Sequence, residues 1–107
     1  MIFIVVKFPV KEEYVDEWLS RVDEFTQATR QEVGNLWFEW SRSVDDPTTY
    51  VLVEAFADGT GEAHVTSAHF QKGLNEIRPM IRATPAVVST SIEGATGWSR
   101  LVELEID

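Results

Sequence analysis

Two residues of this sequence could take up a proton near neutral pH: His64 and His69, its only histidines. Imidazole is the side chain that titrates nearest that range, so either could act as a general base. They stand five positions apart, roughly 140° of rotation on a straight helix of about 3.6 residues per turn. Such spacing sends the rings to different faces, unlike the i, i+4 pair of a zinc helix, and no shared metal is expected. Each also has a plainer reading, as a partly buried helix residue whose ring nitrogens satisfy backbone groups, and His64 could instead line a pocket.

Glu54 stands in the middle of the most apolar stretch, flanked in the alternating pattern by Leu52 and Phe56. A buried carboxylate must be paired, hydrogen-bonded or neutral. An ion pair with Arg42 on the neighbouring strand, or with Arg78 or Arg82, would meet that need. Glu39, which alternates with Trp37, raises the same question. Trp40, Phe38 and Tyr50, with Phe3 and Trp98, could wall an apolar slot that binds a flat aromatic ligand. The same side chains could equally be plain core, although complete burial of a tryptophan is uncommon.

These residues need elements to hold them. Ile2 to Phe8 is a β-branched and aromatic run that stops at Pro9, a strand signal. From Lys11 to Glu32 no proline or glycine intervenes. Tyr14, Trp18, Val22, Phe25 and Thr29 recur at helical spacing there, with acids on the other face and Gly34-Asn35 as the stop. Leu36 to Val44 and Thr49 to Ala57 read as strands joined by the turn Asp45-Asp46-Pro47-Thr48. Thr60 is a candidate N-cap for a helical region reaching about Ala83, with a break expected near Gly73 or Pro79. Pro85 to Glu93 is a further strand. Gly94-Ala95-Thr96-Gly97 is a turn, and Trp98 to Ile106 alternates as an edge strand or an arm on something apolar.

The order β-α-β-β-α-β predicts an α+β fold, an antiparallel sheet with both helical regions on one side. Yet the sheet is apolar on both faces. Leu36, Phe38 and Trp40 share one face while Trp37 takes the other; Tyr50, Leu52 and Phe56 oppose Val51, Val53 and Ala55. One wet face would have given clean alternation. Helices cover only one side, so the other is expected to meet a second copy across a two-fold axis, a homodimer.

Composition narrows the partners. The chain has 107 residues, 44 % of them hydrophobic and 25 % charged, with no cysteine. A single domain over 1–107 is expected, with its core at 2–93 and the C-terminal strand or arm at 97–107. Disulfide scaffolds, zinc-thiolate sites and thiol catalysis are excluded. The net charge of −9 repels phosphate backbones and anionic lipid, so neither nucleic acid nor a membrane is an expected partner. The N-terminus lacks a basic leader and a small-residue cleavage site, and a cytoplasmic protein is expected.

The stretch from Glu32 through Gly34 to Trp40, then Asp45-Asp46-Pro47, then Tyr50-Val51-Leu52-Val53-Glu54-Ala55-Phe56-Ala57-Asp58 resembles the centre of the antibiotic-biosynthesis monooxygenase (ABM) family. That family's pattern is an acid and a glycine, an aromatic strand, a D-P turn and a strand carrying E-x-[FW]-x-D. Ala63-His64-Val65-Thr66-Ser67-Ala68-His69-Phe70 is similar to the family's A-H-x-x-S-x-H-F. The resemblance covers about residues 2 to 93. It implies a ferredoxin-like fold that forms a dimeric α+β barrel. The haem-degrading branch is similar in fold but carries a Trp where His64 stands, an axial His near Leu74 and an Asn near Val6. This chain has none of them, so haem degradation is not expected.

The resemblance implies a cofactor-independent monooxygenase acting with dioxygen on a small phenolic or quinol-type substrate. Catalysis would fall to His69 or His64, with Trp40, Tyr50, Glu54 and Phe38 about the ligand and neither metal nor other cofactor. The alternatives are a non-catalytic dimer that binds a small apolar or aromatic ligand, and an isomerase or lyase working on a small polar metabolite. Fold limits the choice only loosely.

Overall fold

The computed structural model describes residues 1–107. Four strands form one sheet: β1 (Ile2–Pro9), β2 (Asn35–Arg42), β3 (Thr49–Phe56) and β4 (Ala86–Ser91). Their order is β2-β3-β1-β4 and every neighbouring pair is antiparallel, the expected ferredoxin-like arrangement. Helices α1 (Trp18–Arg21), α2 (Asp23–Arg30), α3 (Gly61–Val65) and α4 (Ala68–Ile77) complete the fold. No helix is long and apolar enough to cross a membrane.

Register decides which side chains share a face. Ile4 lies opposite Glu54, Val6 opposite Leu52 and Phe8 opposite Tyr50, while Phe38 and Trp40 face Glu54 and Leu52 from β2. This face meets the helices. Phe8, Phe38, Tyr50 and Leu52 pack there against Val15, Trp18, Val22, Phe25, Ile77 and Met80. Burying each of the larger of these side chains contributes about 1.5–3 kcal/mol. The opposite face carries Phe3, Val5, Val51, Val53 and Trp37, all only partly buried.

The structure corrects several expectations. The run from Lys11 to Glu32 is not one helix: a 3-10 turn at Glu12–Tyr14 precedes α1, and Val22 (φ −95°, ψ 4°) interrupts α1 and α2. Val22 is buried at that bend, so packing against the sheet overrides local helix propagation. Thr60 precedes α3 but makes no side-chain cap; its hydroxyl donates to the carbonyl of Ala57 at 2.7 Å. Of the two breaks expected, the one near Pro79 holds, since α4 ends at Ile77 and passes into a 3-10 turn at Arg78–Met80, but Gly73 does not break the helix. It lies inside that helix because a Cβ there would stand 2.7 Å from the Phe25 ring. Leu36 sits at a β-bulge, between Asn35 and Trp37 in register, and is exposed instead of sharing the face of Phe38.

Of the strand or arm expected over 97–107, no strand forms. Gly94, at φ +78°, turns the chain away after β4. Beyond it only a 3-10 turn forms, at Val102–Leu104. Trp98 lies over Trp37 with ring centroids 4.9 Å apart, but Leu101, Val102, Leu104 and Ile106 are exposed. Alternating residues become a strand only where an edge pairs with them, and here neither sheet edge does.

Candidate active site

Between the helices and the inner sheet face lies a cavity of about 340 Å³, within the size range of small-ligand sites. Ile4, Val6 and Leu52 supply its floor, and Phe70, Leu74 and Ile77 part of its roof. Only two lining side chains are titratable, Glu54 from β3 and His64 from α3. Both are buried, at 5 % and 4 % exposure.

His64 is held on several sides. The ring of Phe56 lies 4.7 Å from it and that of Phe70 5.0 Å, centroid to centroid. Its Nδ1 donates to Glu32 Oε2 at 2.7 Å; a carboxylate can only accept here. With the proton at Nδ1, a neutral ring presents its lone pair at Nε2. That nitrogen faces Glu54 Oε1 at 3.9 Å, beyond hydrogen-bond reach.

His69 reaches the same carboxylate oxygen through its Nε2 at 2.5 Å. The expected divergence of the two rings is therefore overturned. They do not ride one straight helix. Ser67 adopts extended backbone (φ −72°, ψ 152°) between α3 and α4, and its hydroxyl oxygen accepts from the Phe70 amide. This N-cap re-aims α4 and turns His69 back toward Glu32. His69 does not line the cavity; it anchors Glu32 from the outside.

Glu32 was visible in the sequence only as the acid before a glycine. It follows α2 in a turn that α2 and β2 fix together: the Glu32 amide donates to Thr29 O and the Asn35 amide to Glu32 O. Arg30 donates twice to the carbonyl of Phe38, through Nε at 3.0 Å and Nη2 at 2.9 Å. Gly34 closes the turn against the loop before α3, since a Cβ there would stand 2.1 Å from Thr60 Cβ and Oγ1. Gly34→Ala is expected to cost about 1–3 kcal/mol of stability through overpacking. Adding Thr60→Gly should recover part of that loss in thermal unfolding. An unchanged melting temperature for the single variant would refute this account of the turn.

Glu54 has no ion pair with an arginine, contrary to expectation. Arg42 donates instead to the carbonyl of Pro47, and Arg82 pairs with Asp46. The nearest cationic or potentially cationic group is His64. Burial, reinforced by the negative charge of Glu32, pushes the Glu54 carboxyl up to about 7. A carboxyl poised there can hold or release a proton at neutral pH. Glu39, on the outer face, is exposed.

The aromatic residues expected about the ligand lie elsewhere. Phe38 is fully buried and Tyr50 nearly so, and Trp40 packs against the same cluster. The Tyr50 hydroxyl donates to Val15 O and the Trp40 indole to Thr26 Oγ1. These side chains form the core beside the cavity and none lines it; Phe25, Phe70 and Phe8 bring the rings that do.

A ferredoxin-like α+β layer with an apolar chamber, and a buried acid and imidazole facing each other at its wall, has the geometry that acid–base chemistry on a small molecule requires. The model of the antibiotic biosynthesis monooxygenase family matches residues 1–76, and the chain belongs to that family. Among solved structures, an antibiotic biosynthesis monooxygenase is 25 % identical with a TM-score of 0.77, over 86 % of this chain and 98 % of that one. A conserved protein from Methanosarcina mazei Go1 is 20 % identical at TM-score 0.77, covering 83 % of this chain and 89 % of its own. Rv0793 from Mycobacterium tuberculosis is 16 % identical at TM-score 0.77, covering 90 % and 98 %. The last two show likeness of fold alone.

Proposed function

We propose that this protein is a monooxygenase that oxidises a small phenol or quinol with dioxygen, and that His64 is its base. The observation that carries this reading is the 3.9 Å gap between His64 Nε2 and Glu54 Oε1 at the wall of an otherwise apolar chamber. A phenolic oxygen that bridges the two atoms from the cavity side can donate to Nε2 and accept from the protonated carboxyl of Glu54, its ring lying among apolar side chains. Ground-state dioxygen is a triplet and reacts slowly with closed-shell molecules. Proton transfer to His64 turns the phenol into a phenolate, a better electron donor. For an anthrone-type substrate the balance closes without a further reductant. The methylene carbon becomes a carbonyl with one oxygen atom, and its two hydrogens leave with the other as water. Glu32, hydrogen-bonded at Nδ1, steadies the imidazolium formed on the way.

The test is oxygen uptake with hydroquinones and anthrone-type phenols in chelator-treated buffer. Uptake of one O₂ per substrate is expected, giving a quinone that carries one new oxygen atom, with water and no hydrogen peroxide as the other product. A ligand that raises the melting temperature but is recovered unchanged would establish a binding protein instead. Isomerase or lyase work on a polar metabolite is disfavoured by a lining with only two titratable groups.

The reading includes a homodimer through the outer sheet face. Phe3, Val5, Val51, Val53 and Trp37 lie there with no helix over them, and pairing two such faces would remove the apolar surface from water. Sedimentation at micromolar concentration should give twice the 12.1 kDa chain mass, and Val53→Glu, a charge in the centre of the face, should halve it. A stable wild-type monomer at that concentration would refute the dimer.

A further inference from the structure

We infer that Glu32, His64 and His69 form a binding site for one divalent first-row cation, best matched by Zn²⁺. Each residue offers one donor atom, and the three atoms lie within 4.8 Å of one another. Two imidazole nitrogens and a carboxylate oxygen make a donor set that Zn²⁺ and its neighbours take readily. Glu32 Oε2 already holds both rings, at 2.7 Å and 2.5 Å. Metal–ligand bonds of about 2.0–2.2 Å in a tetrahedral site need donors a little farther apart than that. The two hydrogen bonds would therefore open by less than about 1 Å as the cation replaces their protons. His69, whose side chain is 29 % exposed, gives both the freedom to move and the side from which a water could complete the shell.

The surroundings support the same assignment. Coordination through Nδ1 leaves the His64 ring proton on Nε2, which faces Glu54. An outer carboxylate on the far nitrogen commonly orients a metal-bound histidine; Glu54 stands on that side at 3.9 Å and would have to close by about 1 Å to accept the Nε2 proton. The net charge of −9 also draws cations toward the surface. The imidazole ring stands between this site and the cavity, because Nδ1 binds Glu32 while Nε2 faces the cavity-lining Glu54. The cation would thus act through His64 and not touch a substrate directly. On the reading that His64 is the base, cation binding and proton acceptance at Nε2 exclude each other, so the cation is an inhibitor.

Titration of the chelator-treated protein with ZnCl₂ by calorimetry, and with CoCl₂ by visible absorption, tests the site. One equivalent per chain with a micromolar or tighter Kd is expected, with ligand-field bands for Co²⁺. His69→Ala and Glu32→Gln should each weaken Zn²⁺ binding by about tenfold or more. Glu24→Gln, at an exposed acid paired with Lys72, should leave it unchanged. Because the chain has two histidines, ring resonances of the wild-type protein give a readout that needs no variant: both should shift on adding ZnCl₂. Binding only in the millimolar range, equal affinity in a folded His69→Ala protein, or ring resonances that do not move would each overturn the inference. Zn²⁺ binding stands or falls by these titrations even if no phenol is oxidised.

Discussion

His64→Asn is expected to lower kcat for phenol oxidation by about 10²–10⁴-fold, the usual contribution of a positioned general base. Asparagine keeps a polar group of similar length among Phe56 and Phe70 but accepts no proton at neutral pH. KM should change much less than kcat, because most of the chamber that holds the ring is lined by other side chains. His69→Asn should cost far less, since His69 meets Glu32 and not the cavity. Steady-state oxygen uptake by the two variants separates them. Equal losses would mean that the two histidines act as one unit, and a fully active His64→Asn enzyme would remove His64 from the chemistry. Activity that survives His64→Asn but falls with Glu54→Gln would move the base to the carboxyl.

The parts of this site that were legible in the sequence are those set by local pattern. Alternation in the strands put Glu54 on the inner face with Leu52 and Phe56, and the register keeps it there. The Asp-Pro turn was legible for the same reason. Asp46 accepts from the hydroxyls of Thr49 and Thr48 and from the Thr48 amide, which holds its carboxyl below the ordinary range. What failed was any inference that assumed a straight helix. Five residues of uniform helix would part the histidines; a single extended residue, Ser67, brings them together. Its signal was present as a serine three residues before Phe70, the spacing of an N-cap to an amide at N3.

Long-range geometry was beyond pattern altogether. Glu32 meets His64 across 32 positions and His69 across 37, and nothing in local periodicity ties an acid after one helix to rings on two others. The aromatic residues misled in the opposite sense. Phe38, Trp40 and Tyr50 have the composition of a ligand slot, but hydrogen bonds from Trp40 and Tyr50 to α2 and to the segment before α1 lock those two into the core. Side-chain type tells what a residue could bind; which neighbour satisfies it first decides whether it does.

Glu54→Gln carries the second large effect, on stability as a function of pH. In the folded chain the Glu54 carboxyl releases its proton at about 7, against an ordinary value of 4.5. Between those two values the folded state holds more protons than the unfolded one, so the free energy of unfolding falls as pH rises. The contribution is intact below about pH 4.5 and is lost as pH climbs through 7. At about 1.4 kcal/mol per pH unit, the loss across that window is on the order of 3 kcal/mol. Glutamine does not titrate. Urea unfolding of both proteins at low and at mildly alkaline pH should therefore show the variant gaining on the wild type by about that amount. The difference between the two proteins cancels every other group that titrates alike in both, which isolates Glu54. Parallel pH profiles would mean that the carboxyl is solvated through the cavity mouth. In that case it could not be the protonated donor that positions a phenolic oxygen against His64.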